Sequence, residues 1–274
     1  MSIKLIAVDM DGTLLTTDQR ITERTETAIK RAMDAGIEFV LDTGRSNSEC
    51  EAFYPQLPMH YSVFANGAYI LDFKTGENLI SRTIPVEDAR KIYEIYARYN
   101  AVIFIQGDHW VYACEDFPVK CRRFPEYIAG TAPIELPYRF VDDQRAFLAG
   151  REDDIEKFHV SFISHEEAEK AFEELSRLPY QVVWCGEYCV EVTHPEADKG
   201  RALGLLADRL GIKKEEVMAI GDSGNDALML EYAGTSVVVA NASPELKDCA
   251  DMVVPSNNDD GVAAAIEWVL ENDR

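Results

Sequence analysis

Both end regions of the chain alternate short apolar segments with segments of helical spacing. Residues 3–8 and 37–41 are mostly apolar and branched, as expected for strands buried on both faces of a parallel sheet. Between them, residues 22–35 carry apolar side chains at helical spacing and stop at Gly36. Because β and α segments alternate, the pattern predicts an α/β fold with a doubly wound parallel sheet.

The other segments of this α/β part follow the same rhythm. A helix is predicted from about Ser46, and a third strand over residues 61–65 precedes an Asn66-Gly67 turn. Near the C-terminus the pattern predicts a helix over 199–210, a strand over 217–220, a helix over 225–232, a strand over 236–240 and helices over 244–249 and 261–271.

The middle of the chain has a different pattern. After Pro85, helical segments mix with strand-like segments, and residues 180–192 predict an antiparallel hairpin. We therefore predict an α+β domain over residues 85–193, inserted into a discontinuous core formed by residues 1–84 and 194–274.

Composition narrows the classes of partner. With 47% hydrophobic residues the chain is not disordered, and 27 basic against 49 acidic side chains give a net charge of −22. Such a field repels nucleic-acid phosphates and anionic lipids, so we expect neither nucleic acid nor a membrane as a partner. The first residues lead directly into a strand and lack the regions of a signal peptide. We expect a cytoplasmic protein that is a monomer or a weak homodimer.

The six cysteines do not form a recognisable framework. None has a Cys-x-x-Cys spacing, and a chain of 274 residues does not need disulfides to hold its core. We therefore expect reduced thiols at all six positions, which are Cys50, Cys114, Cys121, Cys185, Cys189 and Cys249.

Two acidic residues follow the first predicted strand. Alternation along an extended chain places Asp9 and Asp11 on the same side, at the edge where ligands bind to open α/β sheets. Two close carboxylates repel each other, and a divalent cation or a shared proton relieves the repulsion. A helix–loop–helix calcium site is excluded because a strand precedes the acids and Arg20 stands at the twelfth position.

Three further groups of polar or charged residues lie at strand ends or helix starts. Thr43 and Gly44 follow the second strand and offer a hydroxyl and a backbone N–H to an anion. Lys199 begins a helix, where the dipole disfavours a cation, so an anion or carboxylate is expected nearby. Asp222 and Asp226 follow a late strand and suit a hard cation. Together these positions predict one site at one edge of one sheet.

The motifs resemble, in order, those of the haloacid dehalogenase superfamily. They are Asp9-x-Asp11-Gly12-Thr13, Thr43-Gly44-Arg45, Lys199-Gly200 and Gly221-Asp222-x-x-Asn225-Asp226. The long segment after the second motif is similar in size and pattern to the large α+β (C2-type) cap of one branch of this superfamily. Within that branch, the Cof-type, YidA-like sugar-phosphate phosphatases are resembled by Asp11-Gly12-Thr13-Leu14-Leu15, Asn66-Gly67-Ala68 and residues 218–226. The resemblance implies a Rossmann-like core. Asp42 departs from the family, which carries a small or neutral residue there; alternation turns it away from Thr43, so we expect little effect.

The resemblance also implies a mechanism and a cofactor. Asp9 would be the nucleophile that forms an aspartyl-phosphate, and Asp11 would be the general acid and base, with a raised pKa. Mg2+ would be the cofactor and a small phosphorylated metabolite the substrate. The implied metal ligands are Asp9, Asp11 through its backbone carbonyl, and Asp222, with Asp226 beside them. The implied phosphate-binding residues are Met10, Thr43, Gly44, Lys199 and Asn225, and Arg45 and Asn66 would contact the substrate.

Several alternatives stay open on the sequence alone. The same scaffold can pass the phosphoryl group to another hydroxyl, as a phosphotransferase or mutase does, or it can bind a phosphometabolite without turnover. A dehalogenase is disfavoured because it needs neither Asp11 nor the metal-binding acids. The basic cluster Lys120, Arg122 and Arg123 can bind a second anion, but a solvated helix face balanced by Glu115 and Asp116 is the favoured interpretation.

Overall fold

The computed structural model describes residues 2–116 and 138–272. The chain divides into two compact units. The first unit comprises residues 1–45, 51–81 and 198–274, and the second comprises residues 46–50 and 82–197. The boundaries that we predict for an inserted domain stay a prediction. The basic cluster Lys120, Arg122 and Arg123, and also Cys121, lie outside the described residues.

The first unit is built on an eight-stranded sheet in the order β14-β13-β12-β1-β2-β3-β4-β5. The pairs from β14 to β3 are parallel, and β4 and β5 extend the sheet with antiparallel pairs. The strands are β1 (Leu5–Val8), β2 (Glu38–Asp42), β3 (Tyr61–Phe64), β4 (Tyr69–Asp72), β5 (Asn78–Ser81), β12 (Val217–Gly221), β13 (Thr235–Val239) and β14 (Met252–Val254).

Strand β1 lies in the interior of this sheet because all four of its side chains are apolar and buried. It pairs in parallel with β2 on one side and β12 on the other, so the carboxyl ends of these three strands meet at one edge. A doubly wound parallel sheet of this kind is the predicted α/β fold, and the prediction is confirmed.

The helices of the first unit begin and end at local signals. Thr22 caps the first helix by accepting from Thr25 N–H, and Gly211, in a left-handed conformation, ends the helix that begins at Lys199. These helices are α1 (Glu23–Asp34), α5 (Lys199–Leu210), α6 (Ala227–Tyr232), α7 (Pro244–Cys249) and α8 (Gly261–Asn272). Helix α5 packs so closely on α6 that a Cβ atom at Gly200 would lie 2.3 Å from the Leu228 carbonyl oxygen.

The second unit has a six-stranded sheet in the order β10-β11-β9-β6-β7-β8. Its pairs are antiparallel except β7 with β8. The strands are β6 (Ala101–Gly107), β7 (Trp110–Cys114), β8 (Tyr138–Val141), β9 (Lys157–Phe162), β10 (Gln181–Gly186) and β11 (Cys189–Thr193). The helices are α2 (Val86–Tyr96), α3 (Gln144–Ala149) and α4 (His165–Leu175). Apolar side chains of these helices and of one sheet face form the core of the unit.

Two expectations from the sequence are wrong. The helix predicted from Ser46 is replaced by short 3-10 turns at Asn47–Glu49 and Glu51–Gln56, the second of which contains Pro55. The thiols are not all reduced, because Cys185 and Cys189 form a disulfide. Among the helices of the described ranges, none combines the length and apolar composition that a membrane span requires.

Candidate active site

The carboxyl edge of the first unit's sheet brings together a buried lysine and three acids. The Lys199 Nζ atom lies 2.5 Å from Asp9 Oδ1 and 2.6 Å from Asp226 Oδ1. Asp9 follows β1 directly, whereas Asp226 closes the turn after β12. Since β1 and β12 are parallel neighbours, the two acids approach each other across the edge of the sheet.

Lys199 reaches the site from the first position of α5. Asp198 caps this helix by accepting from Arg201 N–H, which fixes where the helix begins. Burial alone would lower the pKa of Lys199, but Asp226 and Asp9 outweigh it and raise that pKa. The lysine is therefore a permanent cation, and its two carboxylate partners offset the unfavourable position at a helix N-terminus.

Asp226 holds the loop after β12 in shape. Its Oδ2 atom accepts the backbone N–H groups of Asp222, at 2.9 Å, and Ser223, at 3.0 Å. Its other oxygen accepts Lys199, and the side chain is fully buried. Because both oxygens already accept hydrogen bonds, the geometry favours a positioning role for Asp226, beside the atoms that bind a ligand.

Three carboxylates are crowded enough to hold a cation. One oxygen each from Asp9, Asp222 and Asp226 lies within 4.8 Å of the others. Burial and the nearby Asp226 raise the pKa of Asp9 well above its usual range, against the charge of Lys199. Burial also raises the pKa of Asp222 to about 6, against the hydrogen bond from Thr13. Burial and mutual repulsion thus disfavour the ionised forms of these hard oxygen donors. A divalent cation such as Mg2+ fits such a set because its charge offsets both effects.

The Asp11 carboxylate pairs with Arg45 in this conformation. Its carboxylate accepts two hydrogen bonds from the Arg45 guanidinium, at 2.7 and 2.5 Å, and is half exposed. Arg45 also donates to Gln19 Oε1 at 2.5 Å. Desolvation would raise the pKa of Asp11, but the hydrogen bonds and charge of Arg45 outweigh it and lower that pKa. The expectation of a raised pKa is therefore wrong for this conformation, because Arg45 is a closer neighbour of Asp11 than the sequence indicates.

The predicted phosphate-binding residues are distributed along the same edge. Thr43 and Met10 are buried, and Gly44 is half-buried directly after Thr43. The Thr43 Oγ1 atom accepts the backbone N–H of Arg45 at 3.1 Å, so the turn after β2 orients the hydroxyl. This turn lies next to β1 because β1 and β2 pair in register up to Val8 and Leu41.

Asn66 and Asn225 contact each other at this edge. The Asn225 amide donates to Asn66 Oδ1 at 3.2 Å, and the Ser223 hydroxyl donates to Asn225 Oδ1 at 2.7 Å. Asn66 has a φ of 56°, in the left-handed region that asparagine tolerates better than most residues. At Gly67, with a φ of 91°, a Cβ atom would lie 2.3 Å from the Asp198 carbonyl oxygen. The turn therefore packs tightly beside the start of α5.

Asp42 is the buried acid that departs from the family pattern. Within residues 2–116 and 138–272, neither of its carboxyl oxygens has a hydrogen-bond partner, and the side chain is fully buried at the end of β2. Burial raises its pKa well above the usual range, against the charge of Lys199. Burial thus favours the neutral form, in which Asp42 adds no charge to the site.

Sequence reasoning gave no role to two residues that shape the site. The Thr13 hydroxyl donates to Asp222 Oδ1 at 2.6 Å, and the Asn241 amide donates to the Gly12 carbonyl at 2.7 Å. Asn241 follows β13, whose carboxyl end lies at the same edge, and this position was the only signal available for it. Both residues fix the loop after β1 against the neighbouring strands.

The chain is similar to known phosphatases along nearly its whole length. Residues 6–266 match the model of the haloacid dehalogenase-like hydrolase family. The Bacillus subtilis 5-amino-6-(5-phospho-D-ribitylamino)uracil phosphatase YwtE is 32% identical over 98% of this chain and 98% of its own. Pyridoxal phosphate phosphatase YbhA of Escherichia coli is 27% identical over 97% of this chain and 98% of its own. A solved haloacid dehalogenase-like hydrolase from B. subtilis has a TM-score of 0.83 at 28% identity, over 97% of this chain and 99% of that one.

Proposed function

Since this chain belongs to the haloacid dehalogenase-like hydrolase family and is a phosphatase, we propose that it hydrolyses small phosphate esters of sugar type through an aspartyl-phosphate, with Mg2+ as cofactor. The observation that carries the proposal is the buried Asp9 carboxylate, held by Lys199 at the carboxyl end of β1 and close to Asp222. If Asp9 only bound the phosphate group, an acid at this position would repel it, so the acid indicates a nucleophile.

Asp9 is the nucleophile in this proposal. One carboxylate oxygen of Asp9 attacks phosphorus, the bond from phosphorus to the alcohol oxygen breaks, and Asp11 gives its proton to the departing alkoxide. Water then attacks the phosphoryl group on Asp9 after losing a proton to Asp11, which releases phosphate and restores both acids. Lys199 fixes the rotamer of Asp9 through the hydrogen bond at 2.5 Å.

For these steps Asp11 has to exchange partners. In the present conformation its carboxylate is paired with Arg45, which lowers its pKa and disfavours the acid form. When Asp11 turns to the leaving group, the Arg45 guanidinium becomes available to an anionic oxygen of the substrate. The Thr43 hydroxyl, the Gly44 N–H, the Met10 N–H, Lys199 and Asn225 supply further donors to the phosphoryl oxygens.

The acidic cluster would hold Mg2+. We propose that the carboxylates of Asp9 and Asp222 and the backbone carbonyl of Asp11 are its ligands, whereas Asp226 orients Asp222 through its backbone N–H. When bound, Mg2+ neutralises the charge that builds up on the phosphoryl oxygens. The Thr13 hydroxyl bonds one oxygen of Asp222 and thereby fixes the carboxylate for its role.

The substrate class rests on chemistry and on the relatives. The protein carries a charge of −22, so only a small anion that is neutralised locally can bind easily. YwtE acts on a phosphorylated ribityl compound and YbhA on pyridoxal phosphate, both small phosphate esters. A phosphorylated sugar or sugar alcohol is the substrate that we infer from this.

The test is hydrolysis of p-nitrophenyl phosphate and of a panel of sugar phosphates. Wild-type protein is assayed with Mg2+ and with EDTA, next to Asp9→Asn and a control, Asp34→Asn, at an exposed position of α1. We expect Mg2+-dependent release of phosphate that Asp9→Asn abolishes and Asp34→Asn retains. Turnover that is unchanged in EDTA or in Asp9→Asn contradicts the proposal. So does the absence of turnover on every substrate of the panel. An added acceptor alcohol that takes up the phosphoryl group in place of water indicates a phosphotransferase.

A further inference from the structure

Two cysteines and a histidine cluster on one face of the second unit's sheet. Cys185 is the second-last residue of β10, Cys189 begins β11, and His159 lies on β9, which pairs with β11. One ligand atom from each lies within 4.8 Å of the others. His159 stands directly opposite Glu191 in the antiparallel register of β9 and β11. Glu191 is two residues from Cys189 along β11, so both side chains lie on the same face of the sheet. Sulfur and imidazole donors of this kind bind soft and borderline cations.

We propose that this cluster is a redox-gated metal site. In the dithiol form, the thiolates of Cys185 and Cys189 and the Nε2 atom of His159 bind a divalent cation of the Zn2+ type. In the disulfide form, which the structure contains, the sulfurs are bonded to each other and do not bind the cation.

The donor distances agree with a tetrahedral site. Cys189 Sγ lies 3.5 Å from His159 Nε2. In a tetrahedral Zn2+ site, bonds of about 2.3 Å to sulfur and about 2.0 Å to nitrogen place those two donors roughly 3.5 Å apart. Two of the three donors thus already have the required separation. Once the disulfide is reduced, the exposed side chain of Cys185, near the end of its strand, rotates to complete the site.

Glu191 prepares His159 for this role. The Glu191 Oε1 atom lies 2.8 Å from His159 Nδ1 and 2.6 Å from the buried Lys157 ammonium. His159 Nδ1–H therefore donates a hydrogen bond to the Glu191 carboxylate, which leaves the lone pair on Nε2 for a metal. Carboxylate, imidazole and metal in this order are common in zinc sites.

A purely structural role for the disulfide is weakly supported. Stabilisation by loop closure grows with the length of the loop, and this bond spans a sequence separation of only 4. The backbone hydrogen bonds between β10 and β11 already bring the two ends together. The bond thus adds little constraint to ends that the strand pairing already holds together.

The gating step needs a reductant, and a dithiol supplies it. The two thiols of the reductant become a disulfide, the bond between Cys185 and Cys189 breaks, and each of these sulfurs takes up one proton. The cation then displaces both protons when it binds the thiolates. The site is distinct from the carboxylates of the first unit, whose hard oxygen donors prefer Mg2+.

Titration with Co2+ tests the proposal, because absorption from thiolate-to-Co2+ charge transfer reports sulfur ligands only. The full chain is reduced with a dithiol, desalted without oxygen and titrated in excess Mg2+, which occupies carboxylate sites. We expect the absorption to appear with one equivalent of Co2+, to vanish on addition of Zn2+, and to be absent from the oxidised protein. No such absorption in the reduced wild type overturns the proposal, and this comparison needs no variant.

Variants locate the ligands. Cys185→Ser and Cys189→Ser each remove one ligand and should weaken binding at least 100-fold, whereas Glu191→Gln should weaken it roughly 10- to 100-fold. Cys249→Ser is the control, since Cys249 is exposed and not in a disulfide. Absorption that persists undiminished in both Cys185→Ser and Cys189→Ser overturns the proposal. The readout does not depend on phosphatase activity, so its failure leaves the proposed reaction untouched.

Discussion

The Nζ atom of Lys199 lies 2.5 Å from the Oδ1 atom of Asp9, and both groups are buried. The lysine is at the start of a helix and the acid is at the end of a strand, 190 positions apart in sequence. A buried ion pair of this kind is costly unless both partners remain. The pair therefore couples the stability of the fold to the orientation of the proposed nucleophile.

The first prediction concerns this coupling. Lys199→Met leaves Asp9 and Asp226 without their shared cation, so the free energy of unfolding should fall by about 3–5 kcal/mol. In the Asp9→Asn background the same change should cost less, because one of the two carboxylates is already neutral. Urea unfolding of the four proteins measures both costs.

The control for this cycle is Lys170→Met, which removes an exposed lysine paired with Glu166 and should change stability by less than about 0.5 kcal/mol. An equal cost of Lys199→Met with Asp9 and with Asn at position 9 would show that the two residues do not interact energetically.

The second prediction separates Asp222 from Asp226. Asp222→Asn should raise the Mg2+ concentration needed for half-maximal activity, with little loss of stability, because Asp222 is half-buried and its side chain is bonded by Thr13 alone among the described residues. Asp226→Asn should unfold at lower urea concentration, since its carboxylate accepts two backbone N–H groups and Lys199. Parallel Mg2+ titrations and urea unfolding test the pair. Equal effects of both changes on stability would contradict the separate roles.

The third prediction is a pH dependence of stability that arises in the second unit. Glu156 is buried, and burial raises its pKa to about 8 despite the hydrogen bond from the His109 N–H. The folded protein therefore binds a proton there that the unfolded chain releases above its ordinary pKa of 4.5. Stability should fall as the pH rises from about 4.5 to about 8, by at most about 1.4 kcal/mol per pH unit from this group.

Glu156→Gln removes that titration. Its stability relative to wild type should be higher at pH 8 than at pH 5.5, as measured by urea unfolding at both values. Glu152→Gln, at an exposed position, serves as the control and should not change the pH profile. A wild-type profile that rises between pH 5.5 and 8 in parallel with that of Glu156→Gln would refute this account.

The fourth prediction separates the turn at Asn66 from the chemistry of its amide. Asn66→Ala places alanine at a φ of 56°, in the left-handed region that asparagine tolerates and alanine does not. The free energy of unfolding should therefore fall by about 1–2 kcal/mol. Asn66→Gly should keep the stability, because glycine adopts this conformation freely. If the amide contacts substrate, both variants should lose roughly 10- to 100-fold in kcat/KM. Full activity in Asn66→Gly would reduce Asn66 to a turn residue.

The edge of the site could be predicted from the sequence because it follows from topology. In a parallel sheet the carboxyl ends of neighbouring strands meet at one edge, so the segments after β1, β2 and β12 had to converge. Lys199 was identified by its unfavourable place at a helix start, and the structure gives the compensating carboxylates. Such reasoning needs only the order of the elements.

Where a side chain has several possible partners nearby, the sequence does not predict which of them it contacts. The pairing of Arg45 with Asp11 depends on the turn after β2, and it reverses the expected direction of the pKa of Asp11. The disulfide depends on a local irregularity in the pairing of β10 with β11: Cys189 pairs with Gly186, and Cys185 lies in the register shift next to this pair. The short turns after Ser46 depend on Pro55 and on packing, which helical periodicity does not report.

The central claim is that Asp9 carries the phosphoryl group during turnover. Wild-type protein is mixed with Mg2+ and an excess of p-nitrophenyl phosphate or the best sugar phosphate, quenched in acid within one turnover, digested and analysed by mass spectrometry. We predict one phosphoryl group on the peptide that contains Asp9, which hydroxylamine removes, and none in Asp9→Asn. Turnover by the wild type with no phosphoryl group on that peptide at any quench time, or with the group on another residue, would contradict it.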